Sequence, residues 1–182
     1  GGLLNSWSVR AFNEAWFRKS PRTPTTSLHS IGQFFHPLDM VDGFGRIYGP
    51  RGFVQYQFVV PYGQEAVVRV ALEQLAAAKC ASFLAVLKRF ESSNAGMLSF
   101  PMPGWTLALD IPANRPDLAA LLDRLDELVL EADGRVYLAK DARVAPAVFE
   151  RMYPRLPEWR AVRDRVDPDH VLRSDLARRL GL

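Results

Sequence analysis

The rhythm of apolar and polar positions changes along the chain, and the changes divide it into elements. From Phe53 the period is two: Val54, Tyr56, Phe58 and Val60 fall on one side of an extended chain, and Phe53, Gln55, Gln57 and Val59 on the other. The pattern predicts a strand over 53–60, a helix over 64–79, strands over 83–90 and 104–111, a helix over 116–131 and a strand over 135–138. The second helix carries the clearest stripe, Leu118, Leu121, Leu122, Leu125 and Val129, with Asp117 suited to its positive amino-terminal end. Val59-Val60-Pro61 and Asp110-Ile111-Pro112 echo one another, each closing a strand before a helix. The order β-α-β-β-α-β is that of the ferredoxin-like split βαβ unit, so the expected fold is α+β, an antiparallel sheet with two helices on one face.

The flanks differ. Trp7, Ala11, Phe12, Ala15 and Trp16 recur at spacings of three and four, which predicts an amphipathic helix over 5–19 that packs on another surface. A Pro/Thr-rich loop over 20–27 follows, then Phe34-Phe35-His36-Pro37-Leu38-Asp39 and the glycines Gly43, Gly45 and Gly49, an irregular connection of the kind that carries sites. Beyond 140, Pro146, Pro154, Pro157 and Pro168 cut the chain into short helices in which Phe149, Tyr153 and Trp159 alternate with many arginines. This helical tail has too little apolar surface for its own core and is expected to dock elsewhere.

Composition narrows the function classes. With 182 residues, 48% hydrophobic and 24% charged, the chain suits one domain with an appendage. A net charge of +3 with a pI near 9.2 reflects surplus arginine, and nothing asks for a nucleic-acid partner. Cys80 is the single cysteine, so an intrachain disulfide and a multi-cysteine zinc site are excluded; His29, His36 and His170 lack metal-ligand spacing, and no metal is expected. Neither a span of roughly 20 apolar residues nor a signal pattern is visible, which gives the expectation of a cytoplasmic protein or one peripheral to the cell membrane or envelope. The chain opens Gly1-Gly2-Leu3, and is expected to be part of a longer polypeptide.

Several side chains could carry chemistry. Gln55 and Gln57 stand side by side on one strand face, where their amides suit sugar hydroxyls or merely a solvated outer face. Lys88 and Lys140 lie on or after strands, reaching solvent or offering charge to an anion. Trp105 reads as core or as a stacking platform, and Cys80 as a small packed side chain. The carboxyl-terminal arginines form a solvated helix face or meet an anionic membrane surface. No dinucleotide fingerprint, P-loop, nucleophile elbow or HExxH occurs. The residues alone lead to an α+β sugar- or ligand-binding domain with a docking tail.

Ordered strings carry a resemblance over nearly the whole chain: Val9-Arg10-Ala11-Phe12-Asn13-Glu14-Ala15-Trp16-Phe17, Phe34-Phe35-His36-Pro37-Leu38-Asp39-Met40, Gly52-Phe53-Val54-Gln55-Tyr56-Gln57-Phe58-Val59-Val60-Pro61, Leu98-Ser99-Phe100-Pro101-Met102-Pro103-Gly104-Trp105 and Tyr137-Leu138-Ala139-Lys140-Asp141. Together these resemble the oxidising subunits of decaprenylphosphoryl-β-D-ribose 2-epimerases, within the vanillyl-alcohol-oxidase-type flavoproteins. The resemblance implies an FAD enzyme that oxidises the C2 hydroxyl of a ribose on a polyprenyl phosphate to the 2-keto sugar, for a partner keto-sugar reductase to complete epimerisation to arabinose. A lipid-linked sugar phosphate as substrate further implies work at a membrane surface.

The same resemblance implies a substrate (cap) domain over 1–133 and, over 134–182, the carboxyl-terminal segment of an FAD-binding domain whose amino-terminal part lies outside this chain. Carried over position by position, Lys140 is catalytic, at flavin and substrate, and Tyr137 and Ala139 join it in binding the cofactor. Gln57 and Gln55 face the sugar, Lys88 approaches the pocket, and Phe35, His36, Leu38 and Phe44 belong to a covering loop. Mycobacterial members carry a cysteine where this chain has Ala108, with Thr106 two positions before it on the same face. Both are expected at the substrate, and thiol-directed inhibitors are expected to fail. The 182-residue chain by itself is expected neither to hold FAD tightly nor to turn over. An FAD-linked aldonolactone or sugar-alcohol oxidase is the near alternative, and a non-catalytic ferredoxin-like ligand-binding module the alternative from another class.

Overall fold

The computed structural model of the chain describes residues 6–36, 42, 43, 46, 48–80, 82 and 84–182. The centre is a four-stranded antiparallel sheet of β1 (Phe53–Pro61), β2 (Ala85–Phe90), β3 (Gly104–Pro112) and β4 (Arg135–Val136), in the spatial order β2-β3-β1-β4. β3 lies between β1 and β2, the split βαβ arrangement, and α3 (Glu65–Ala77) and α4 (Leu118–Glu131) provide the two crossovers. The fold is therefore the α+β one that the alternation predicts.

The periods explain the layers. Tyr56, Phe58 and Val60 of β1 and Leu107, Leu109 and Ile111 of β3 share one face and are buried against Val67, Val68, Ala71 and Leu75 of α3 and Leu121, Leu122, Leu125 and Val129 of α4. Each buried Val, Leu, Ile or Phe among them contributes roughly 1.5–3 kcal/mol. Gly104 opens β3 where a Cβ would run into the Val60 carbonyl, so only glycine lets the two central strands meet there. Asp117 stands at the N-cap of α4, but its carboxylate is taken by Arg115 rather than by the helix N–H groups.

Three expectations are corrected. β2 begins at Ala85 rather than 83, and β4 ends at Val136 rather than 138. The Tyr137 N–H still donates to the Gln57 carbonyl at 2.8 Å, after which the chain winds into a 3-10 turn, Leu138–Lys140. The helix α1 (Ser6–Lys19) forms, but Trp7, Phe12, Trp16 and Phe17 are exposed; Val9, Arg10, Asn13 and Glu14 line a cleft against the end of α3 instead. Next comes the short α2 (Ile31–Phe35), capped by Ser30 and with no buried residue.

The tail forms α5 (Pro146–Met152), α6 (Leu156–Val166) and α7 (Asp175–Leu180). Phe149, Met152, Tyr153, Leu156 and Leu180 are buried and continue the same hydrophobic core, with α5 against α4 and β4. The docking surface that the tail requires is thus supplied by this chain's own sheet edge and α4.

Candidate functional site

The sheet face away from the helices is polar. In the β1–β3 register Gln57 stands opposite Ala108, Gln55 opposite Asp110 and Val59 opposite Thr106, and on the other side of β3 Lys88 stands opposite Thr106. Gln57 is buried and donates from Nε2 to Thr106 Oγ1 at 3.0 Å, while Gln55, exposed, donates to Asp110 Oδ1 at 3.0 Å. Each pairing satisfies groups that would otherwise be costly so close to the core.

Gln57 and Lys88 of this face line a cleft of about 740 Å³. It is also lined by Tyr137 and Lys140 and by the apolar Met97, Leu98, Phe100, Pro101 and Trp159. Phe100 stacks on Tyr137 with ring centroids 4.5 Å apart and meets Phe90 edge-on at 5.9 Å. The loop over 94–101 is held in shape from within: the Asn94 N–H donates to Ser99 Oγ, and Ser99 Oγ donates to the Pro101 carbonyl. Arg135 of β4 holds it from outside, donating to the Ser99 carbonyl at 2.8 Å while its guanidinium lies over the Tyr153 ring. The Tyr153 hydroxyl donates to the Val136 carbonyl at 2.6 Å, and burial pushes its pKa up.

Behind the cleft lies a buried polar centre. Asp126 of α4, 2% exposed, accepts from the Tyr56 hydroxyl at 2.9 Å and from Arg143 at 2.8 Å. Arg143 also pairs with Asp123. Burial pushes the Asp126 carboxyl up to about 7, the Tyr56 hydroxyl acting the other way, and burial with the neighbouring Asp126 raises Tyr56. Tyr56 precedes Gln57 on β1, and Arg143 follows Lys140 by three residues, so this centre ties the glutamine's strand to the lysine's turn.

The cleft thus brings Gln57, Lys88, Tyr137 and Lys140 together. Gln55, Thr106 and Ala108 share the polar sheet face without lining the cleft, and Ala139, next to Lys140, is exposed. Phe35 and His36 lie on or just after exposed α2, away from the cleft lining, and Leu38 and Phe44 fall outside the described residues. Trp105 is on the helix side of β3, where its indole N–H donates to Glu65 at 3.2 Å, and Cys80 is buried, which raises its pKa. Sequence reasoning missed the apolar lining over 97–101 and the bracing by Arg135. The one available signal was the Ser/Gly/Pro loop between two strands, with its apolar Met97, Leu98 and Phe100. Among the described residues no group of three or more His, Cys, Asp or Glu could hold a metal, and no helix is long and apolar enough to cross a membrane.

Comparison with known proteins adds to this geometry. Residues 109–180 match the family model for D-arabinono-1,4-lactone oxidase. Over 181 residues the chain is 42% identical to a decaprenylphosphoryl-β-D-ribose oxidase from Mycolicibacterium smegmatis (strain ATCC 700084 / mc(2)155), covering 100% of this chain and 39% of that protein. It is also 44% identical over 165 residues to a Streptomyces coelicolor protein described as an uncharacterized protein in the mprA 5′ region, covering 91% of this chain and 44% of that one. The chain therefore spans about two fifths of the length of these relatives.

Proposed function

We propose that this chain is the substrate-domain portion of an FAD-dependent oxidoreductase that oxidises the C2 hydroxyl of a polyprenylphosphoryl ribose to the 2-keto sugar. The observation that carries the reading is the mixed lining of the cleft, where an amide, a phenol and two ammonium-bearing lysines share one cavity with Met97, Leu98, Phe100, Pro101 and Trp159. A sugar phosphate on an isoprenoid chain needs both kinds of group. The similarity to a decaprenylphosphoryl-β-D-ribose oxidase along the whole chain supports the same substrate class.

The donor set fits one end of a flavin. Lys140 and Tyr137 could flank an isoalloxazine edge, with Ala139 beside them, but the described residues offer no glycine-rich cradle for a pyrophosphate. FAD, when bound, supplies the hydride acceptor. The chain's own residues bind and orient. Gln57, its Nε2 committed to Thr106, presents its amide oxygen to a sugar hydroxyl, with Gln55 and Ala108 bordering it on the same face. Lys88 attracts the phosphate, and the Lys140 ammonium stabilises the negative charge that arrives on the flavin with the hydride, the C2 hydroxyl proton leaving to solvent. On this reading residues 1–133 act as the cap and 134–182 complete the FAD domain. A keto-sugar reductase takes the product, and the substrate's lipid brings the protein to a membrane surface.

The match to the lactone oxidase family favours a second reading, a free aldonolactone or sugar alcohol as substrate. Such a substrate leaves the apolar lining without a role. The test is the visible absorption of the protein expressed from its full reading frame, beside this 182-residue chain. A flavin band in the long form that bleaches with a polyprenylphosphoryl ribose, and is lost from the short form, is the expected result. Bleaching by a soluble lactone in its place would select the second reading, and no flavin in either form would overturn both.

A further inference from the structure

The turn that carries Lys140 is followed by a carboxylate that the proposed chemistry does not use. Asp141 is 3% exposed, and its Oδ1 accepts the backbone N–H groups of Arg143 and Val144, each at 2.9 Å. Its other oxygen, Oδ2, accepts from Arg179 at 2.6 Å. Arg179 sits on α7, nearly forty residues away in sequence, and its second arm donates to the Val144 carbonyl at 2.5 Å. One guanidinium therefore closes both sides of the loop over 141–144. The helix bearing it is seated by Leu180, which is fully buried in the common core.

We propose that Asp141 and Arg179 form a latch by which the terminal helix fixes the position of Lys140, making both positioning residues of the site; the inference rests on the function proposed above. The physical basis is the geometry of the fork. A buried carboxylate bound by two N–H groups and a guanidinium has one low-energy placement, and the 3-10 turn, with the Lys140 N–H on the Tyr137 carbonyl at 3.0 Å, transmits that placement to the adjacent lysine. A lysine at 179 would keep the charge but could not span both acceptors. An asparagine at 141 would keep the two backbone bonds on Oδ1 while losing the anion that Arg179 binds.

The experiment is competitive labelling of the purified protein with an acetylating reagent, reading the ratio of Lys140 to Lys88 modification by peptide mass spectrometry. Lys88, on β2 and lining the same cleft, is the internal reference. In Arg179→Ala and Asp141→Asn the ratio is expected to rise at least threefold, with Arg179→Lys between these and wild type. An unchanged ratio in variants whose circular dichroism is native overturns the latch. Should Arg179→Ala fail to fold, Asp141→Asn and Arg179→Lys carry the test, and an unchanged ratio in both overturns it equally. In the flavin-loaded protein, kcat is expected to fall about tenfold with KM within twofold; a change confined to KM also overturns the proposal. The labelling result does not depend on flavin, so an inactive wild-type protein would sink the oxidase reading while leaving the latch to be judged by the ratio.

Discussion

On the helix side of the sheet, Tyr56, Phe58 and Val60 face Leu107, Leu109 and Ile111, and nearly every atom is packed; one residue along each strand, Gln55, Gln57, Thr106, Ala108 and Asp110 make up the opposite face. The same two strands therefore serve two ends. The first face holds the fold through apolar contact, which is non-directional and tolerates no solvent. On the second, the side chains remain polar but are paired with one another, buried Gln57 to buried Thr106 and exposed Gln55 to buried Asp110. Pairing holds the amides in fixed orientations before any ligand arrives, so part of the ordering cost of binding is already met. A strand period of two makes this division available without any extra chain.

The comparison breaks most visibly at Phe58, which is fully buried between α3 and α4. Phe58→Ala is expected to cost about 3–5 kcal/mol, read as a lowered urea midpoint. On the cleft side Lys140→Ala should do the reverse. Lys140 is half-buried in the cleft lining and outside the hydrophobic core, so stability should stay within about 0.5 kcal/mol. Turnover by the flavin-loaded protein should drop about 10²–10³-fold, as for loss of one preorganised donor. Equal effects of both substitutions on stability would erase the division between the faces.

Much of this was legible in the sequence, for physical reasons that differ by element. Strand alternation over 53–60 and the leucine stripe of α4 are signals of buried area, and buried area built the sheet and its helices. The cleft's polar members followed from resemblance, and the structure brings Gln57, Lys88, Tyr137 and Lys140 to one cleft. Asp126, Arg143 and Arg179 were invisible because an acid on a helix or an arginine in a tail reads as solvated until its partner from a distant segment is known. The end of β4 was unreadable, though the strand itself was predicted: Tyr137 keeps one ladder bond to Gln57 and then turns, and period-two alternation carries no sign of that exit. The outward face of α1 shows the limit of amphipathicity, which marks an apolar stripe without saying what it meets.

A smaller effect sharpens the polar side. Removing one partner of the Gln57–Thr106 bond should leave the other buried and unsatisfied, so Gln57→Leu and Thr106→Val should each cost about 1–3 kcal/mol. The double substitution should cost less than the sum of the two, since two apolar groups of similar shape need no partner. Sugar binding, followed by titration of a ribose phosphate against the flavin spectrum, should be lost in Gln57→Leu and in the double variant alike. If the double variant regained binding along with stability, the polar face would be structural and the cleft would take its ligand elsewhere.

A last effect lies within the helix side, at the Asp126 carboxyl on which Tyr56 and Arg143 converge. In the unfolded chain this group titrates near its ordinary 3.8, whereas burial in the folded protein pushes it up to about 7. Between those values the folded state holds a proton that the unfolded state has released, so stability should fall as pH rises from about 4 to about 7 and level off above. Asp126→Asn cannot titrate, and its stability should lack that slope. The mutant-minus-wild-type difference, from urea midpoints at pH 5 and pH 8, should move in the mutant's favour, by at most about 1.4 kcal/mol for each pH unit below 7 and by less to the extent that Arg143 supports the ionised form. Tyr56→Phe withdraws the hydroxyl that lowers the carboxyl's pKa and should carry the wild-type slope to higher pH. Parallel profiles for wild type and Asp126→Asn would mean that the carboxylate is ionised throughout and that its pair with Arg143 outweighs burial. The polar centre would then be an ion pair holding the Lys140 loop to α4, insensitive to pH in this range.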